Sequence, residues 1–336
     1  MVNVWFNRTF SSAYHAVNLI RHNPDGADVT VFGSHDSLDA VFLGACDHTF
    51  VEPAVAPLDY VLWALEFCAE HAIDVFVPKR HIMTIAEHRA VFESAGTRVL
   101  VAGTPEVLQA VSDKGALYAA LARIAPESAP VHRVVETAAQ FAAAHDEIEA
   151  LGTAVCFKPA LGEGGGGFRI IDPAASPLAA LSDFPTERVG LVATLDALGS
   201  VESFPPLVLS ELLPGAEFSV DCLASDGKLL AAVARRKLDR RTQRIEDAPE
   251  LVAVAAAITA HFGLGALFNV QFMYGADGPK LIDVNPRMSA GVDVSAASGV
   301  NLPWLGVQLA LTGSVEVPQA SAGITVGRVD HVVRVA

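Results

Sequence analysis

Short apolar runs alternate with longer helix-like stretches through residues 1–105 of the chain. The strand-like runs lie at 2–6, 29–32, 49–51, 75–77 and 98–101. The stretches with helical character lie at 11–21, 58–71 and 81–94. Because strands that alternate with helices form a parallel sheet covered by helices, this pattern predicts an α/β domain that binds its ligand at the carboxyl ends of the strands.

Two polar segments follow strands of this predicted sheet. Residues 7–12 follow the first strand and open a helix, where unpaired N–H groups favour an anion. Residues 79–81, Lys-Arg-His, follow the fourth strand. A solvated loop with a helix cap at Ser11 or Ser12 is the commoner arrangement, and a substrate role is the alternative. No Gly-x-Gly-x-x-Gly follows the first strand, so the dinucleotide-binding fingerprint is absent.

A glycine-rich loop marks the middle of the chain. It is preceded by a predicted helix over 104–122, a break over 126–130, a strand over 131–135 and a helix over 137–151. An apolar strand bearing Lys158 then runs into the loop and out into a second apolar strand. The loop glycines are Gly162, Gly164, Gly165, Gly166 and Gly167. Their N–H groups favour an anion, although the loop lacks the Gly-Lys-Ser/Thr ending of a Walker loop. A hairpin tip without function is the alternative.

The following segment is predicted to hold a helix around 187–198, a strand over 207–210 and, after a Pro-Gly turn, a strand with Glu217 and Asp221. Residues 235–241 form a basic cluster, for which a solvated strand end and an anion clamp are equally favoured.

Residues 251–270 carry little charge. Their Ala and Gly content indicates a buried helix ending near His261, then a turn and a strand, rather than a membrane span.

Residues 271–287 carry the pattern with the most chemistry. Two apolar strands flank a Gly-Ala-Asp-Gly turn, and the second strand presents Asp283 and Asn285 on one face because strand side chains alternate. If the strands pair as a hairpin, Gln271 lies across from them. Three oxygen-bearing side chains, with Arg287 just beyond, are suited to hold Mg²⁺ against phosphates. A polar sheet edge beside a turn is the alternative, at about even odds when this stretch is taken alone.

Composition limits the classes of partner and compartment. The chain has 336 residues, 51% hydrophobic and 18% charged, so it can bury a large core. Its net charge of -15 disfavours nucleic acid and anionic membranes as partners. The four cysteines are scattered in apolar sequence, which indicates free thiols in a reducing compartment. No basic region followed by an apolar run opens the chain, so a cytoplasmic location is expected.

Taken together, these motifs resemble the ATP-grasp superfamily, and most closely ligase domains like those of carbamoyl phosphate synthase large chains and related carboxylate–amine ligases. The motifs that carry the likeness are Lys114, Lys158 with its glycine loop, Glu211-x-x-x-Gly-x-Glu217, and Gln271 with Asp283-x-Asn285-Pro-Arg287. The resemblance implies a Rossmann-like parallel-sheet domain over 1–105, a linker helix and lid over 106–206, and a carboxyl-terminal ATP-grasp subdomain over 207–336.

The resemblance also implies roles for the matching residues. Lys114 and Lys158 correspond to lysines that reach ATP phosphates, and Gly164 to Gly167 to the loop over the β- and γ-phosphates. Glu211 and Leu213 stand where backbone groups hold adenine, and Glu217 where an acid binds ribose. Arg287 corresponds to an arginine beside the transferred phosphate.

The implied metal ligands are Gln271, Asp283 and Asn285, which would hold Mg²⁺ or Mn²⁺. Many family members carry Glu at the position of Asp283, and some carry an acid at that of Gln271. Asp283 reaches one methylene less far, so we expect one metal to be held firmly and another weakly.

The expected function is that of an ADP-forming ligase that activates a carboxylate as an acyl phosphate and joins it to an amine. The alternatives are a phosphotransferase acting on a small molecule and an ATP-binding regulatory module without catalysis. Arg8, Lys79, Arg235 and Arg236 favour an anionic acid as substrate. Family likeness favours a homodimer.

Overall fold

The computed structural model describes residues 1–162, 165–176, 187–330 and 332–335. The chain divides into two compact units. The first unit consists of Met1–Gln109, Glu217–Gln271 and Val284–Ala336, and the second of Ala110–Ala216 and Phe272–Asp283. In this division most of the segment after Ala216 belongs with the amino-terminal residues. The three domains at 1–105, 106–206 and 207–336 stay a prediction.

The first unit begins with a five-stranded sheet whose strands are β1 (Val2–Phe6), β2 (Val29–His35), β3 (His48–Val51), β4 (Val75–Val77) and β5 (Arg98–Val99). The strand order is β3-β2-β1-β4-β5, and every pairing is parallel. Its helices are α1 (Ala13–Arg21), α2 (Pro57–Glu70), α3 (Ile82–Glu87) and α4 (Arg89–Ser94). The prediction of a parallel α/β sheet from the apolar alternation is therefore confirmed.

The helix predicted over 81–94 is wrong in one respect, because the structure has two helices there. His88 leaves the helical conformation, and its ring bonds the carbonyl of Thr84 at 2.9 Å. A side chain that bonds the backbone of the preceding turn competes with the helix at that point.

The core of this sheet is aromatic. The Trp5 ring stacks on Phe76 with centroids 4.0 Å apart, and its indole N–H donates to Ser34 Oγ at 2.9 Å. Strands of a parallel sheet are buried on both faces, which is why β1 and β4 consist almost wholly of apolar residues. Burial of such rings is a large source of stability, at about 25 cal/mol per Å² of apolar surface removed from water.

The second unit contains a second five-stranded sheet. Its elements are α6 (Lys114–Ile124), β6 (His132–Val135), α7 (Ala138–Glu149), β7 (Val155–Pro159), β8 (Arg169–Ile171), β9 (Arg188–Val189), α8 (Leu191–Leu198) and β10 (Leu207–Glu211). The strand order is β6-β10-β7-β8-β9. The helix α5 (Pro105–Ser112) precedes α6 along the chain.

Two helix predictions in this region are corrected. The stretch 104–122 was predicted as one helix, but Asp113 interrupts it and caps α6 by accepting bonds from the N–H groups of Gly115 and Ala116 at 2.9 and 3.1 Å. An Asp at the start of a helix stabilises it by satisfying these free donors. The helix predicted from residue 187 begins only at Leu191, because Arg188 and Val189 form β9.

The third sheet consists of β11 (Glu217–Ser225), β12 (Lys228–Lys237), β13 (Thr242–Glu246), β14 (Ala266–Gly275), β15 (Gly278–Asn285) and β16 (Thr325–Gly327). Its order is β15-β14-β11-β12-β13-β16, and β14 and β15 each run through a boundary between the two units. The associated helices are α9 (Pro249–Phe262), α10 (Val292–Ala296) and α11 (Leu302–Thr312).

The apolar window at 251–270 has the predicted form. Helix α9 ends at Phe262, Gly263 follows in the left-handed conformation with φ of 67°, and β14 starts at Ala266. Such a glycine is a common helix terminator because it lacks a Cβ that would clash. Within the described part of the chain, no helix has both the length and the apolar character needed to cross a membrane.

Helix α11 explains why the first unit is assembled from distant segments of the chain. Trp304 and Val307 pack into the core of the parallel sheet, whereas Leu302, Leu305 and Leu309 pack into a cluster with residues of β11, β12 and β13. Apolar side chains on two faces of α11 are thus buried in two different clusters. The two apolar clusters of this unit therefore meet at α11.

Candidate active site

Two lysines and a carboxylate come together in the second unit. Lys114 is the first residue of α6, and its ammonium donates to the carbonyl of Gly162 at 2.9 Å and lies 3.5 Å from Asp283 Oδ1. The ammonium of Lys158, on β7, donates to the carbonyl of Ile282 at 2.7 Å. Lys114 is only 5% exposed. The structure thus brings together three residues that the sequence predicted for one site.

Local structure fixes both lysines. The backbone N–H of Lys114 donates to the carbonyl of Ala160 at 3.0 Å, which joins the start of α6 to the end of β7. The hydroxyl of Tyr118, one turn further along α6, donates to the carbonyl of Ile282 at 2.8 Å. The Ile282 carbonyl therefore accepts bonds from both Tyr118 and Lys158, and it sits next to Asp283 in the chain.

Burial destabilises the positive charge on the Lys158 side chain. Burial lowers the pKa of its ammonium from 10.5 to about 8, Asp283 opposes that change, and the like charge of Lys114 adds to it. Removing a cation from water disfavours its protonated form unless an anion compensates. Among the residues that the structure describes, the cluster contains two lysines and one carboxylate, a balance that favours an anion.

The glycine loop lies at the tip of a hairpin formed by β7 and β8. The antiparallel register pairs Cys156 with Ile170 and Phe157 with Arg169, as the strand–loop–strand pattern predicted. Gly165 and Gly167 have φ of 73° and 76°, in the left-handed region that favours glycine. Gly166 is exposed in the same turn. Gly164 lies outside the described residues.

Glu211 and Leu213, predicted to hold adenine through their backbone groups, also lie in the second unit. The Glu211 carboxylate accepts a bond from the N–H of Val131 at 3.0 Å, and the N–H of Glu211 donates to the carbonyl of Val131 at 3.2 Å. Leu213 is buried, with 7% of its surface exposed. The Glu211 side chain thus holds the chain next to β6, and the adenine role of both residues stays a prediction.

The remaining predicted metal and phosphate ligands lie in the first unit. Asn285 ends β15, and its Oδ1 accepts a bond from Arg287 Nη2 at 3.3 Å. Arg287 Nη1 also donates to the carbonyl of Met288 at 3.1 Å. Gln271 is half-buried on β14. Glu217, predicted to bind ribose, pairs with Lys237 across β11 and β12 at 2.8 Å.

The four cations predicted to bind substrate have different surroundings. Arg8 pairs with Asp36 on the surface at 2.5 Å, and Arg236 is 3.8 Å from Glu246 and 46% exposed. Arg235 is 3% exposed and donates to Asp221 at 3.0 Å and to Ser289 Oγ at 3.1 Å. It also bonds Gln243. Lys79 lines a pocket that the other three do not line.

This pocket lies within the first unit and has a cavity volume of about 60 Å³. Its polar wall is formed by Thr9, Ser12, Lys79, Arg287 and Ser289, and its apolar wall mainly by Phe6, Phe10, Val77, Ile82, Leu100, Leu267 and Met288. The Lys79 ammonium and the Arg287 guanidinium each lie 5.1 Å from the centroid of the Phe10 ring. Both polar segments that follow strands in the sequence therefore contribute to one pocket.

A buried network supports the strand ends beside this pocket. Asn7 is fully buried, and its Oδ1 accepts from the N–H groups of Lys79 and Arg80 at 2.7 and 3.2 Å. Glu52 is 4% exposed and accepts from Ser34 Oγ at 2.8 Å and Arg80 Nη1 at 3.1 Å. Sequence reasoning missed Glu52, although its position directly after β3 places it at the edge where ligands bind such sheets.

The carboxyl-terminal part of the chain matches a known family model. Residues 203–332 match the model described as "ATP-grasp in the biosynthetic pathway with Ter operon". Solved structures extend the likeness to nearly the whole chain. N5-carboxyaminoimidazole synthetase from Staphylococcus aureus superposes with a TM-score of 0.65 at 12% identity, covering 94% of this chain and 78% of that one. The fold is that of the ATP-grasp proteins.

Two other ATP-grasp neighbours show the same relation. The biotin carboxylase domain of Hydrogenobacter thermophilus 2-oxoglutarate carboxylase, crystallised with MgADP, ADP and bicarbonate, has a TM-score of 0.64 at 14% identity, covering 95% of this chain and 71% of that one. L-amino acid ligase from Bacillus licheniformis has a TM-score of 0.62 at 14% identity, covering 93% and 74%. No curated protein sequence matches the chain. The predicted ATP-grasp resemblance and α/β fold class are confirmed.

Proposed function

We propose that this chain is an ATP-dependent ligase that activates a carboxylate, releases ADP and joins the activated acid to an amine. The observation that carries the proposal is the cluster of Lys114, Lys158 and Asp283 in the second unit of an ATP-grasp fold. In agreement with it, the similar structures include proteins named as a synthetase, a ligase and carboxylases, and one was crystallised with MgADP.

In this proposal the two lysines bind the phosphates of ATP. Lys158 carries a cation whose burial is not fully compensated, and a phosphate would supply the opposing charge. The N–H groups of the glycine hairpin add dipoles that favour the same anion. Glu211, Leu213 and Glu217 are proposed to hold the nucleoside part, as family likeness implies.

The proposed metal ligands are Asp283, Asn285 and Gln271. Their hard oxygen atoms fit Mg²⁺ or Mn²⁺, which prefer carboxylate and carbonyl ligands. Asp283 Oδ1 lies 3.5 Å from the Lys114 ammonium, so the carboxylate faces the lysine cluster proposed to bind the phosphates. A bound metal would neutralise phosphate charge during transfer. The short side chain of Asp283 favours one firmly held ion.

The chemistry then requires a carboxylate oxygen to attack the γ-phosphorus, with ADP as leaving group and an acyl phosphate as product. An amine attacks the acyl carbon, the C–N bond forms, and inorganic phosphate leaves. Lys158 and Arg287 are proposed to stabilise negative charge that develops on the transferred group. Exclusion of water by the glycine hairpin would protect the acyl phosphate.

The test is ADP release by the purified chain with MgATP and a panel of carboxylic acids, each with and without a panel of amines. A ligase releases ADP only when an acid and an amine are both present. A phosphorylated product that accumulates without an amine would identify a phosphotransferase instead. ATP binding without turnover on any pair would identify a regulatory module.

Substitution of Lys158 tests the residue assignment. Lys158→Met keeps the apolar stem and removes the charge, so kcat/KM for ATP should fall at least 100-fold, which is about 2.7 kcal/mol of transition-state stabilisation. The matched control is Lys228→Met, which removes an exposed lysine from β12 and should leave kinetics unchanged. Equal kinetics in both variants, with both folded by circular dichroism, would remove Lys158 from the site.

A further inference from the structure

Tyr118 is a buried side chain beside the lysine cluster, and the proposed chemistry gives it no role. Only 1% of its surface is exposed, and its hydroxyl donates to the carbonyl of Ile282 at 2.8 Å. The Lys158 ammonium donates to the same oxygen at 2.7 Å. A carbonyl oxygen has two lone pairs, so it can accept both bonds. Helix α6 and strand β7 therefore meet at one backbone atom of β15.

The Tyr118 ring makes a second contact with the ammonium. Lys158 Nζ lies over the ring, 5.8 Å from its centroid, where a cation is attracted by an aromatic face. The ring is held in turn from β6, since His132 meets it edge-on with the two centroids 5.2 Å apart. Tyr118 thus touches the ammonium through its ring and fixes, through its hydroxyl, the carbonyl that the ammonium bonds.

The Tyr118 hydroxyl is suited to hold a group in place rather than to transfer a proton. Burial, and after it the negative charge of Asp283, raises the pKa of Tyr118 well above its ordinary value. The hydroxyl therefore stays protonated where enzymes work and remains a donor to the Ile282 carbonyl. A group whose pKa lies far above the working pH is a poor acid or base catalyst.

Lys158 is the kind of residue that gains from such a support. A lysine ammonium has three donors and ends a flexible four-carbon side chain. When one N–H is fixed on a rigid acceptor, the directions of the other two are restricted, so less conformational freedom is lost when an anion binds.

We propose that Tyr118 is a positioning residue for Lys158. Its hydroxyl holds the Ile282 carbonyl in place, and that carbonyl, together with the Tyr118 ring, aims the ammonium at a phosphate of ATP. The inference rests on the proposed function, because it takes Lys158 to bind that phosphate. Tyr118 acts through Lys158 and is not itself assigned a contact with the nucleotide.

A double-mutant cycle tests the proposal. Calorimetry with Mg²⁺ measures the Kd of the β,γ-imido analogue of ATP for the unaltered chain, Tyr118→Phe, Lys158→Met and the double variant. Tyr118→Phe keeps the ring and loses only the hydroxyl, and it should raise the Kd at least fivefold. In the Lys158→Met background the same substitution should change the Kd less than twofold, because no ammonium is left to aim.

Tyr60→Phe is the matched control. It removes an equally buried hydroxyl, which accepts a bond from Asn7 Nδ2 at 3.1 Å in the first unit, and it should leave the Kd unchanged. A rise below fivefold in Tyr118→Phe overturns the proposal, and so does an equal rise in Tyr60→Phe. A rise of twofold or more in the Lys158→Met background also overturns it, because the hydroxyl would then act on the fold rather than through Lys158.

Urea unfolding of the same four proteins without nucleotide separates this inference from the proposed function. Each single variant leaves the Ile282 carbonyl with one of its two donors and the double variant with neither. The double variant should therefore lose more stability than the two single losses added together, since an unsatisfied buried acceptor is costly. Losses that merely add overturn the shared anchor.

The two measurements fail in different ways. If the analogue binds the unaltered chain and Tyr118→Phe binds it equally well, the positioning role fails and the proposed function stands. If the unfolding losses couple and the unaltered chain binds no analogue, the proposed function fails and the coupling of Tyr118 to Lys158 stands.

Discussion

Lys158 carries a charge that depends on pH within the range in which enzymes work. Its pKa is lowered to about 8, chiefly by burial, so the ammonium is charged below about pH 8 and neutral above it. An unperturbed lysine stays charged to well above pH 9. A site that relies on this ammonium for phosphate binding therefore loses attraction as pH rises.

We expect the Kd for ATP to increase about tenfold between pH 7 and pH 9, because the protonated fraction of a group with a pKa of about 8 falls by about that factor. Lys158→Met should bind ATP weakly and without this dependence. Calorimetric titrations at several pH values, at saturating Mg²⁺, measure both. The same pH dependence of the Kd for ATP in both proteins would contradict the assignment of Lys158 to phosphate binding.

Neighbouring residues in the basic cluster have opposite environments. Arg235 and Arg236 follow one another on β12, and strand alternation turns the first into the core and the second into solvent. Arg235 is held by Asp221, which also accepts from Ser295 Oγ at 2.5 Å and from Asn269 Nδ2 at 2.8 Å. Arg235 also donates to Ser289, which lines the pocket, so Arg235 helps to position the pocket wall. The sequence showed only that both are basic.

At the scale of an element, the glycine hairpin has an asymmetry that the sequence does not show. A Cβ on Gly167 would lie 2.7 Å from Cδ of Pro159, whereas a Cβ on Gly165 would meet nothing within 4 Å. Both residues have positive φ, so both lose backbone freedom when replaced. Gly167 has a second reason to be glycine, because the Pro159 ring leaves no room for a Cβ at that position.

Gly165→Ala should destabilise the protein by about 1 kcal/mol, from backbone strain alone. Gly167→Ala should cost about 2–3 kcal/mol, because overlap with the Pro159 ring adds to the same strain. Urea unfolding of the two variants measures the difference, and each serves as the control for the other. Equal losses of stability would contradict the close approach of the Pro159 ring to Gly167.

The elements differ in how well the sequence determined them. The apolar alternation gave the five strands of the parallel sheet, and the glycine run gave the hairpin of β7 and β8. The breaks at Asp113 and His88 were missed, because each depends on a side chain that bonds backbone in the folded structure. Helical propensity alone continues through both positions.

For the whole molecule, the four cysteines provide a test of burial. All four are free, and burial raises the pKa of Cys46 and of Cys68 to about 12. Burial likewise raises the pKa of Cys156 and Cys222. Because the thiolate is the reactive form, none should react readily in the folded protein.

We expect a thiol reagent at pH 8 to label the folded protein slowly and to label four thiols in concentrated urea, with the same count with and without prior reduction. Ellman's reagent followed by absorbance gives both rates and counts. Rapid labelling in the folded state would show that a cysteine is accessible. Fewer than four thiols without reductant would show a disulfide.

The sequence by itself determined the alternating strands and helices of the parallel sheet, the glycine hairpin and the residue types suited to phosphate and metal, because these depend on local periodicity and on chemistry carried by single side chains. Only the tertiary structure decided that Lys114, Lys158 and Asp283 are neighbours, that Arg235 is buried, and that Lys79 and Arg287 share one pocket. The reason is physical: burial, pKa and convergence depend on residues distant in the chain, and no local pattern records which of them meet.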